Sequence, residues 1–182
     1  WKDPASSTHL SLTDRVRTFL ALKNKKIKHG KLCIVKPHVE IRLTENAILE
    51  MGDRVILDSY VFIQLTKPKP HMIIGSHVGI GRYSIIAAKG TLMIGDYTQI
   101  GPHCQLIDHN HSFSKDDLIM NQRADIKGLT IGSDCWLGSG VRVLSGVTIG
   151  DGSVIGAGSV VTNDIPSYEI WAGSPAKFIR KR

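Results

Sequence analysis

The sequence predicts an all-β fold, a parallel solenoid in a single domain, and two observations carry this prediction. A six-residue repeat keeps its register from Ile131 to Pro166, and each of its six blocks begins with an aliphatic residue. A period of six matches neither the period of an α-helix, about 3.6 residues, nor that of a strand, about 2 residues. We therefore expect each block to form one short strand and a turn, with three blocks completing a triangular coil.

Three positions of the block have distinct roles. The first residue is expected to point into a narrow core; these residues are Ile131, Leu137, Val143, Ile149, Ile155 and Val161. Glycine, which lets the chain turn a corner, follows in four blocks: Gly132, Gly138, Gly150 and Gly156. The fifth residue is small or β-branched: Cys135, Val141, Val147, Ser153, Ser159 and Ile165.

Weaker copies of the repeat lie upstream, so the solenoid is expected to begin well before Ile131. Their first positions are Met51, Leu57, Ile63, Ile74, Ile80, Ile86, Ile94, Ile100 and Leu106. The series that contains Ile86 and the series that contains Ile94 are offset by two residues. Leu92 and Met93 are therefore interpreted as a small insertion.

The pattern divides the chain into a cap, a solenoid and a tail. The cap, residues 1–30, contains an amphipathic and basic segment in which Ser11 or Thr13 is the candidate N-cap. Its helix is expected to close the open end of the solenoid, with membrane binding as the less favoured alternative. The remaining predicted segments are the solenoid, 31–166, its proline-rich excursion, 66–72, its long loop, 112–130, and the C-terminal tail, 167–182.

Composition limits the partners and the compartment. The formal net charge of +7 favours an anionic partner, and aromatic residues, at 6%, form no cluster that would stack nucleic-acid bases. The three cysteines, Cys33, Cys104 and Cys135, form neither a disulfide framework nor a zinc motif. No apolar run is long enough for a membrane span, and residues 1–11 lack a signal-peptide core. A cytoplasmic location is the expectation.

The segment that begins IGSDCWLGSGVRVLSGVTIG and ends AGSPAKFIRKR resembles the C-terminal half of the hexapeptide-repeat O-acetyltransferases. The motif DHNHSF, followed by a loop, is most similar to the branch that modifies sugars and surface polysaccharides. The resemblance covers about residues 74–182. It implies a left-handed parallel β-helix, acetyl-CoA as co-substrate, and a homotrimer whose active sites lie between subunits.

The resemblance implies a catalytic histidine at His111, the last residue before the long loop. A neutral imidazole can take the proton of a sugar hydroxyl as its oxygen attacks a thioester, and no covalent enzyme intermediate is needed. His109 is the rival base, because residues two apart on an extended chain face the same side. Asp108 is a candidate to orient one of these rings.

The resemblance also implies the cofactor contacts. An aromatic residue at Trp136 lines the groove for acetyl-CoA and acceptor, while the backbone at Ser139 and Ala157 bonds the pantetheine amides. Ser139 and Ala157 are 18 residues apart and should stack on one corner of successive coils. The Ser139 N–H is a candidate oxyanion donor, and Thr162 is a further candidate cofactor contact.

The tail and the acceptor side complete the predicted site. Lys177 and Arg180 are expected to bind the cofactor phosphates, whereas Lys181 and Arg182 are expected to be free. Arg82 and Tyr83 fall one coil before the histidines and are candidates to bind the acceptor. Trp171 is expected to pack rather than to line the groove.

Three other classes of protein are compatible with the same solenoid. The γ-type carbonic anhydrases bind zinc through three histidines, two of them separated by four residues, whereas one residue separates His109 from His111. Amino-sugar N-acetyltransferases share the repeat, but no GxGxxG unit precedes the repeats here. A non-enzymatic scaffold is the third alternative.

Overall fold

The repeat folds as predicted, into a parallel β-helix of six coils. In the computed structural model, which describes residues 11–182, each coil contributes one strand to each of three parallel sheets, here called A, B and C. The three sheets enclose one apolar core. Residues 1–10 of the predicted cap lie outside the described residues.

The first coil begins at Ile27, after one helix. The helix α1, Leu12–Leu22, has Ser11 as its N-cap, whose hydroxyl accepts a hydrogen bond from Asp14 N at 3.1 Å. The Ser11 hydroxyl and the Arg17 guanidinium both lower the pKa of Asp14. Thr18 Oγ1 accepts a 3.0 Å bond from the backbone N–H of Val35, so α1 covers part of the edge of the first coil.

The strands follow one another in the order A, B, C through each coil. The first three coils comprise β1 Ile27–His29, β2 Ile34–Val35, β3 Glu40–Leu43, β4 Ile48–Met51, β5 Ile56–Leu57, β6 Phe62–Leu65, β7 His71–Ile74, β8 Gly79–Ile80 and β9 Ile85–Ala88.

The fourth coil comprises β10 Thr91–Ile94, β11 Gln99–Ile100 and β12 Gln105–Ile107. An excursion then interrupts the solenoid with the antiparallel strands β13 His109–His111 and β14 Ala124–Ile126, joined through a 3-10 turn at Ile119–Asn121. The last two coils comprise β15 Leu129–Ile131, β16 Trp136–Leu137, β17 Arg142–Val143, β18 Thr148–Ile149, β19 Val154–Ile155 and β20 Val160–Val161.

A C-terminal hairpin extends sheet B beyond the coils. Strand β21, Glu169–Gly173, pairs in parallel with β19, and β22, Ala176–Lys181, pairs with β21 antiparallel. Trp171 lies in register with Ile155 and packs against the core, as predicted for this side chain. Its ring N–H donates to Glu169 Oε2 at 2.8 Å, which satisfies the donor left by its partial burial.

The predicted first positions form the core. In sheet C, for example, Ile63, Ile86, Leu106, Val143 and Val161 lie in register and are each at most 1% exposed. The predicted fifth positions, from Cys135 to Ile165, are also buried, because each points inward at a corner. Apolar burial along these rows is the main stabilising term of the fold.

The interpretation of Leu92 and Met93 as an insertion is wrong. Both residues lie in β10, where Leu92 is fully buried and pairs in register with Met72 and Leu129. The two extra residues lengthen β9 and β10, the strands on either side of the turn at Lys89 and Gly90. Strand β10 therefore has two inward residues, Leu92 and Ile94. The predicted excursion, 66–72, is also too long at its end, because His71 and Met72 belong to strand β7.

Corners between sheets B and C carry a stack of aromatic rings. His38, Tyr60, Tyr83 and His103 have positive φ angles, and their rings lie parallel, with centroids 4.6, 4.8 and 5.1 Å apart. These spacings follow from the rise of about 4.8 Å between neighbouring strands. In the later coils Gly140 and Gly158 take the left-handed corner conformation instead, which glycine adopts without strain.

The inward and outward residues of one strand should differ sharply in their effect on stability. Ile149→Ala removes a fully buried side chain from β18 and should lower the free energy of unfolding by about 2–5 kcal/mol. The adjacent Thr148→Ala, on the exposed side, should change it by less than about 0.5 kcal/mol. Urea unfolding measures both; equal effects would contradict the assigned core.

Candidate active site

The corner between sheets C and A holds an aspartate–histidine pair. Asp108 follows β12, and its side chain is fully buried. The Oδ1 atom accepts hydrogen bonds from Lys89 N at 2.9 Å and from His109 Nδ1 at 2.8 Å, and Oδ2 accepts one from Gly90 N at 2.7 Å. The buried carboxylate is thus held by two backbone donors and one imidazole.

The backbone around Asp108 is equally constrained. Its carbonyl oxygen accepts hydrogen bonds from Ser145 Oγ at 2.7 Å and from Lys127 N at 3.1 Å. A Cβ atom at Gly90 would come within 2.7 Å of Ile126 Cγ2, so the turn opposite the carboxylate requires glycine. Three other segments of the chain therefore converge on Asp108 and bind its backbone and its side chain, which gives the carboxylate a fixed direction.

This carboxylate determines the chemistry of His109. An ionised carboxylate only accepts hydrogen bonds, so the Nδ1 atom of His109 must be the donor. The proton then lies on Nδ1, and Nε2 carries the lone pair that accepts a proton. The His109 side chain is 18% exposed, enough to reach a bound molecule while most of the ring is held by the protein.

His111 lies in a different environment. It shares β13 with His109, two residues away, so both project from the same side of the two-stranded ribbon. His111 is exposed, and its side chain makes no hydrogen bond or ion pair within residues 11–182. Asp108 is therefore the hydrogen-bond partner of His109, and no side chain within residues 11–182 orients the ring of His111.

A groove of about 810 Å³ lies on the outer face of sheet B and reaches its corners with sheets A and C. Trp136, which is 59% exposed, forms one wall, and Ser139 and Arg82 lie at the corner. Ser139 and Ala157 occupy the same corner of successive coils, as the 18-residue spacing predicts, and Gly158 N donates to Ser139 O at 2.8 Å. The groove also includes Gln99, Tyr97, Pro102 and Asp134.

The tail lies at one end of the same face. The strand registers place Trp136, Val154, Ile170 and Arg180 in one row across sheet B. Neighbouring strands are about 4.8 Å apart, so Arg180 is about 14 Å from Trp136 along the row. Lys177 is exposed on the same strand, and Arg180 bonds the Lys181 carbonyl oxygen at 3.0 Å.

Three of the predicted residues are placed differently from the rest. The expectation that Arg182 is free is wrong: its Nη1 donates to Asp134 Oδ2 at 2.8 Å and to Gly152 O at 2.9 Å, which fixes the chain end beside the groove. Thr162 follows β20 and lies near the corner of sheets C and A, away from Ser139 and Ala157. Tyr83 lies in the aromatic stack. The Nε atom of its neighbour Arg82 is 3.6 Å from Asp58 Oδ2.

The histidine pair and the groove occupy different corners of the coil. The groove follows sheet B and its corners with sheets A and C, whereas Asp108 and His109 lie where sheet C turns into sheet A. Neither His109 nor His111 lines the groove. The single chain therefore does not bring the predicted base and the predicted cofactor residues together.

Residues 11–182 contain neither a cluster of metal ligands nor a membrane-spanning helix. No group of three or more His, Cys, Asp or Glu side chains is arranged to hold a metal ion in this part of the chain. No helix there is long and apolar enough to span a membrane.

Comparisons with known proteins agree with the fold and the motifs. Residues 128–163 match the family model for the bacterial transferase hexapeptide, six repeats. The probable acetyltransferase Rv3034c of Mycobacterium tuberculosis is 35% identical over 79% of this chain and 48% of its own length. WbbJ of Escherichia coli, assigned as a lipopolysaccharide biosynthesis O-acetyl transferase, is 36% identical over 58% of each chain. The chain thus spans about half the length of these relatives.

Solved structures share the architecture over nearly the whole chain. AntD, an N-acyltransferase from Bacillus cereus crystallised with dTDP and coenzyme A, matches with a TM-score of 0.78 at 17% identity, covering 95% of this chain and 90% of that chain. A galactoside acetyltransferase in complex with coenzyme A matches with a TM-score of 0.63 at 29% identity, covering 97% and 74%.

The chain therefore carries the bacterial transferase hexapeptide repeat on a parallel β-helix. It resembles acetyltransferases in both sequence and fold, which confirms the resemblance indicated by the motifs.

The cysteine thiols of the folded chain should be unreactive. Burial raises the pKa of Cys33, Cys104 and Cys135 above the ordinary value for a thiol, so little thiolate forms at pH 8. Labelling with iodoacetamide should be at least about tenfold slower in the native chain than in urea. Mass spectrometry gives the label count, and rapid native labelling of Cys135, which borders the groove, would contradict its burial.

Proposed function

We propose that the chain transfers an acetyl group from acetyl-CoA to a hydroxyl group of a sugar, within surface polysaccharide synthesis. The observation that carries the proposal is the buried Asp108 carboxylate, which orients His109 beside a long loop on a hexapeptide-repeat scaffold. The relatives named above support the acyl-transfer class, and WbbJ supports an oxygen acceptor. The whole protein's substrate is part of this proposal, since the chain matches only about half of each relative.

In the proposed reaction, His109 is the general base. The acceptor oxygen forms a bond to the thioester carbonyl carbon while Nε2 of His109 takes the hydroxyl proton. The tetrahedral intermediate then collapses, the carbon–sulfur bond breaks, and the CoA sulfur receives a proton from the imidazolium. Asp108 keeps the ring in the required tautomer and stabilises its charged form, which is the role of a positioning residue.

This proposal reverses the order of the two histidines suggested by sequence. The resemblance favoured His111, whereas only His109 has a buried carboxylate as its partner. A base needs a defined ring orientation and a free Nε2, and the contacts of His109 supply both. We assign to His111 a contact with the acceptor, since it projects from the same side of β13.

The proposed cofactor path runs along the groove on sheet B. Acetyl-CoA would pass Trp136, with its pantetheine amides against the backbone of Ser139, which lines the groove, and of Ala157, at the same corner of the next coil. The small side chains at that corner leave the backbone N–H groups accessible, and the Ser139 N–H is the proposed oxyanion donor. Lys177 and Arg180 are exposed at the far end of the face, where they would meet the phosphates.

A homotrimer would complete the site, because the base and the groove lie on different corners of one chain. The corner with Asp108 and His109 of one subunit would face the groove of its neighbour. Arg82, at the corner of that groove, is the proposed acceptor contact, together with its neighbour Tyr83. An amino group could replace the hydroxyl as acceptor, an alternative favoured by the close match of the AntD fold.

Matched histidine variants test the base. With sugars and nucleotide-sugars as acceptors, His109→Ala should lower acetyl-CoA-dependent thiol release by about 10²–10⁴-fold and leave acetyl-CoA binding unchanged. His111→Ala should mainly raise the KM for the acceptor. Loss of turnover in His111→Ala with retention in His109→Ala would instead make His111 the base. Release with amino sugars alone would replace O-transfer by N-transfer.

Mixed oligomers test the shared site. Ser139→Trp should block the groove without unfolding the chain, since Ser139 is exposed. Neither Ser139→Trp nor His109→Ala should be active alone, but subunit exchange between them should restore about one quarter of the wild-type rate, because that fraction of interfaces pairs two intact halves. Mixing without exchange is the control. No recovery after demonstrated exchange would mean that each site lies within one chain.

A further inference from the structure

The helix α1 exposes an apolar stripe to solvent. Leu12, Val16, Phe19 and Leu20 are 77%, 50%, 65% and 64% exposed. Successive helical residues are rotated by about 100°, so these four side chains share one face of the helix. The opposite side holds α1 to the solenoid through the buried Leu22 and through the Thr18 hydroxyl. The fold therefore uses one side of α1 and leaves the more apolar side uncovered by residues 11–182.

The N-terminal segment that includes α1 and continues to Lys31 carries much of the positive charge, most of it in the residues that follow the helix. Residues 11–31 contain seven Lys or Arg residues and one acidic residue, in a chain whose formal net charge is +7. Arg15 and Lys23 are exposed, and the helical rotation places both next to the apolar stripe. Asp14, on the other side of the helix, is paired with Arg17, with 2.7 Å between Asp14 Oδ1 and Arg17 Nη1, so it does not neutralise Arg15 or Lys23.

We propose that α1 docks on an anionic lipid surface, with its axis in the plane of the headgroups and the stripe of Leu12, Val16, Phe19 and Leu20 inserted between them. An apolar helical face with exposed cations beside it and at its end is the feature that binds such surfaces, since burial of the stripe and attraction to the headgroups act together. Because α1 is not long enough to span a bilayer, the association would be peripheral.

Charge and apolarity together favour a lipid surface over two other binding partners, a second copy of the chain and a soluble anionic polymer. A second copy of the chain docked stripe to stripe would bring two segments of like charge together, which costs free energy. A soluble anionic polymer would neutralise Arg15, Lys23 and Lys25 but would leave the apolar side chains in water. Only an anionic surface with an apolar interior both neutralises these cations and buries the apolar stripe.

The attachment of α1 also determines which part of the molecule would face the bilayer. The helix contacts the first coil, whereas Asp108, His109 and Trp136 belong to the fourth and fifth coils and their connection. Docking through the stripe would therefore leave the proposed site accessible from water. Because the stripe and the proposed site share no residue, loss of docking would be separate from loss of acyl transfer.

Vesicle sedimentation with the full chain tests the docking. We expect binding to vesicles of 30% phosphatidylglycerol in phosphatidylcholine, weak binding to pure phosphatidylcholine, and release by salt. The double variant Phe19→Ser/Leu20→Ser should bind at least about tenfold more weakly. Arg15→Gln/Lys23→Gln should weaken binding about fivefold for each cation removed. All variants should keep the wild-type circular dichroism and thiol release, because these side chains are exposed.

A matched control comes from the long loop. Phe113 and Met120 are 79% and 84% exposed, so Phe113→Ser/Met120→Ser removes as much exposed apolar surface from elsewhere and should leave vesicle binding unchanged. Equal binding of wild type and Phe19→Ser/Leu20→Ser would overturn the proposal. So would failure to bind anionic vesicles at low salt, binding to heparin but not to vesicles, or a change in oligomeric state caused by the stripe variants.

Discussion

The stacking of one aliphatic side chain on another, coil after coil, is the constraint on which this structure depends. Each short strand contributes few residues to the core, so no coil could bury its apolar surface alone. Rows such as Ile86, Leu106, Val143 and Val161 supply that burial only when the coils keep strict register. The same register fixes the outer surface, where Gln99, Trp136 and Val154 follow one another at the spacing of the strands.

Most of the fold could be predicted because the register of the coils requires an aliphatic residue at every sixth position, and this period is visible in the sequence. Every first position between Ile74 and Val161 that was taken from the repeat is buried, since the strand period and the triangular coil allow only one inward choice. The error at Leu92 and Met93 has a physical reason. Two extra residues can leave the coil as a bulge or lengthen two strands, and the burial of Leu92 between Met72 and Leu129 stabilises the second arrangement.

The candidate site was predictable in composition but not in geometry. The motif DHNH contains an aspartate and both histidines, yet spacing alone could not assign Asp108 to either ring. The assignment depends on Lys89 and Gly90, which bind the carboxylate from the preceding coil and are 18 or more residues away in sequence. Gly90 was the available signal, because it interrupts the hexapeptide pattern directly before β10. Arg182 was misjudged for a similar reason, since its partner Asp134 is distant in sequence.

A solenoid has one consequence for catalysis that a globular fold lacks. Its interior is filled by the aliphatic rows, so functional side chains can only lie on an outer face or a corner, exposed to water. A buried carboxylate such as that of Asp108 is possible only where an excursion covers a corner, and here β13, β14 and Lys127 provide that cover. Water is excluded from a groove on a flat sheet face only when a second surface covers it. The proposed sharing of the site between subunits would meet this requirement, because the corner of one prism is the shape that fits against the face of another.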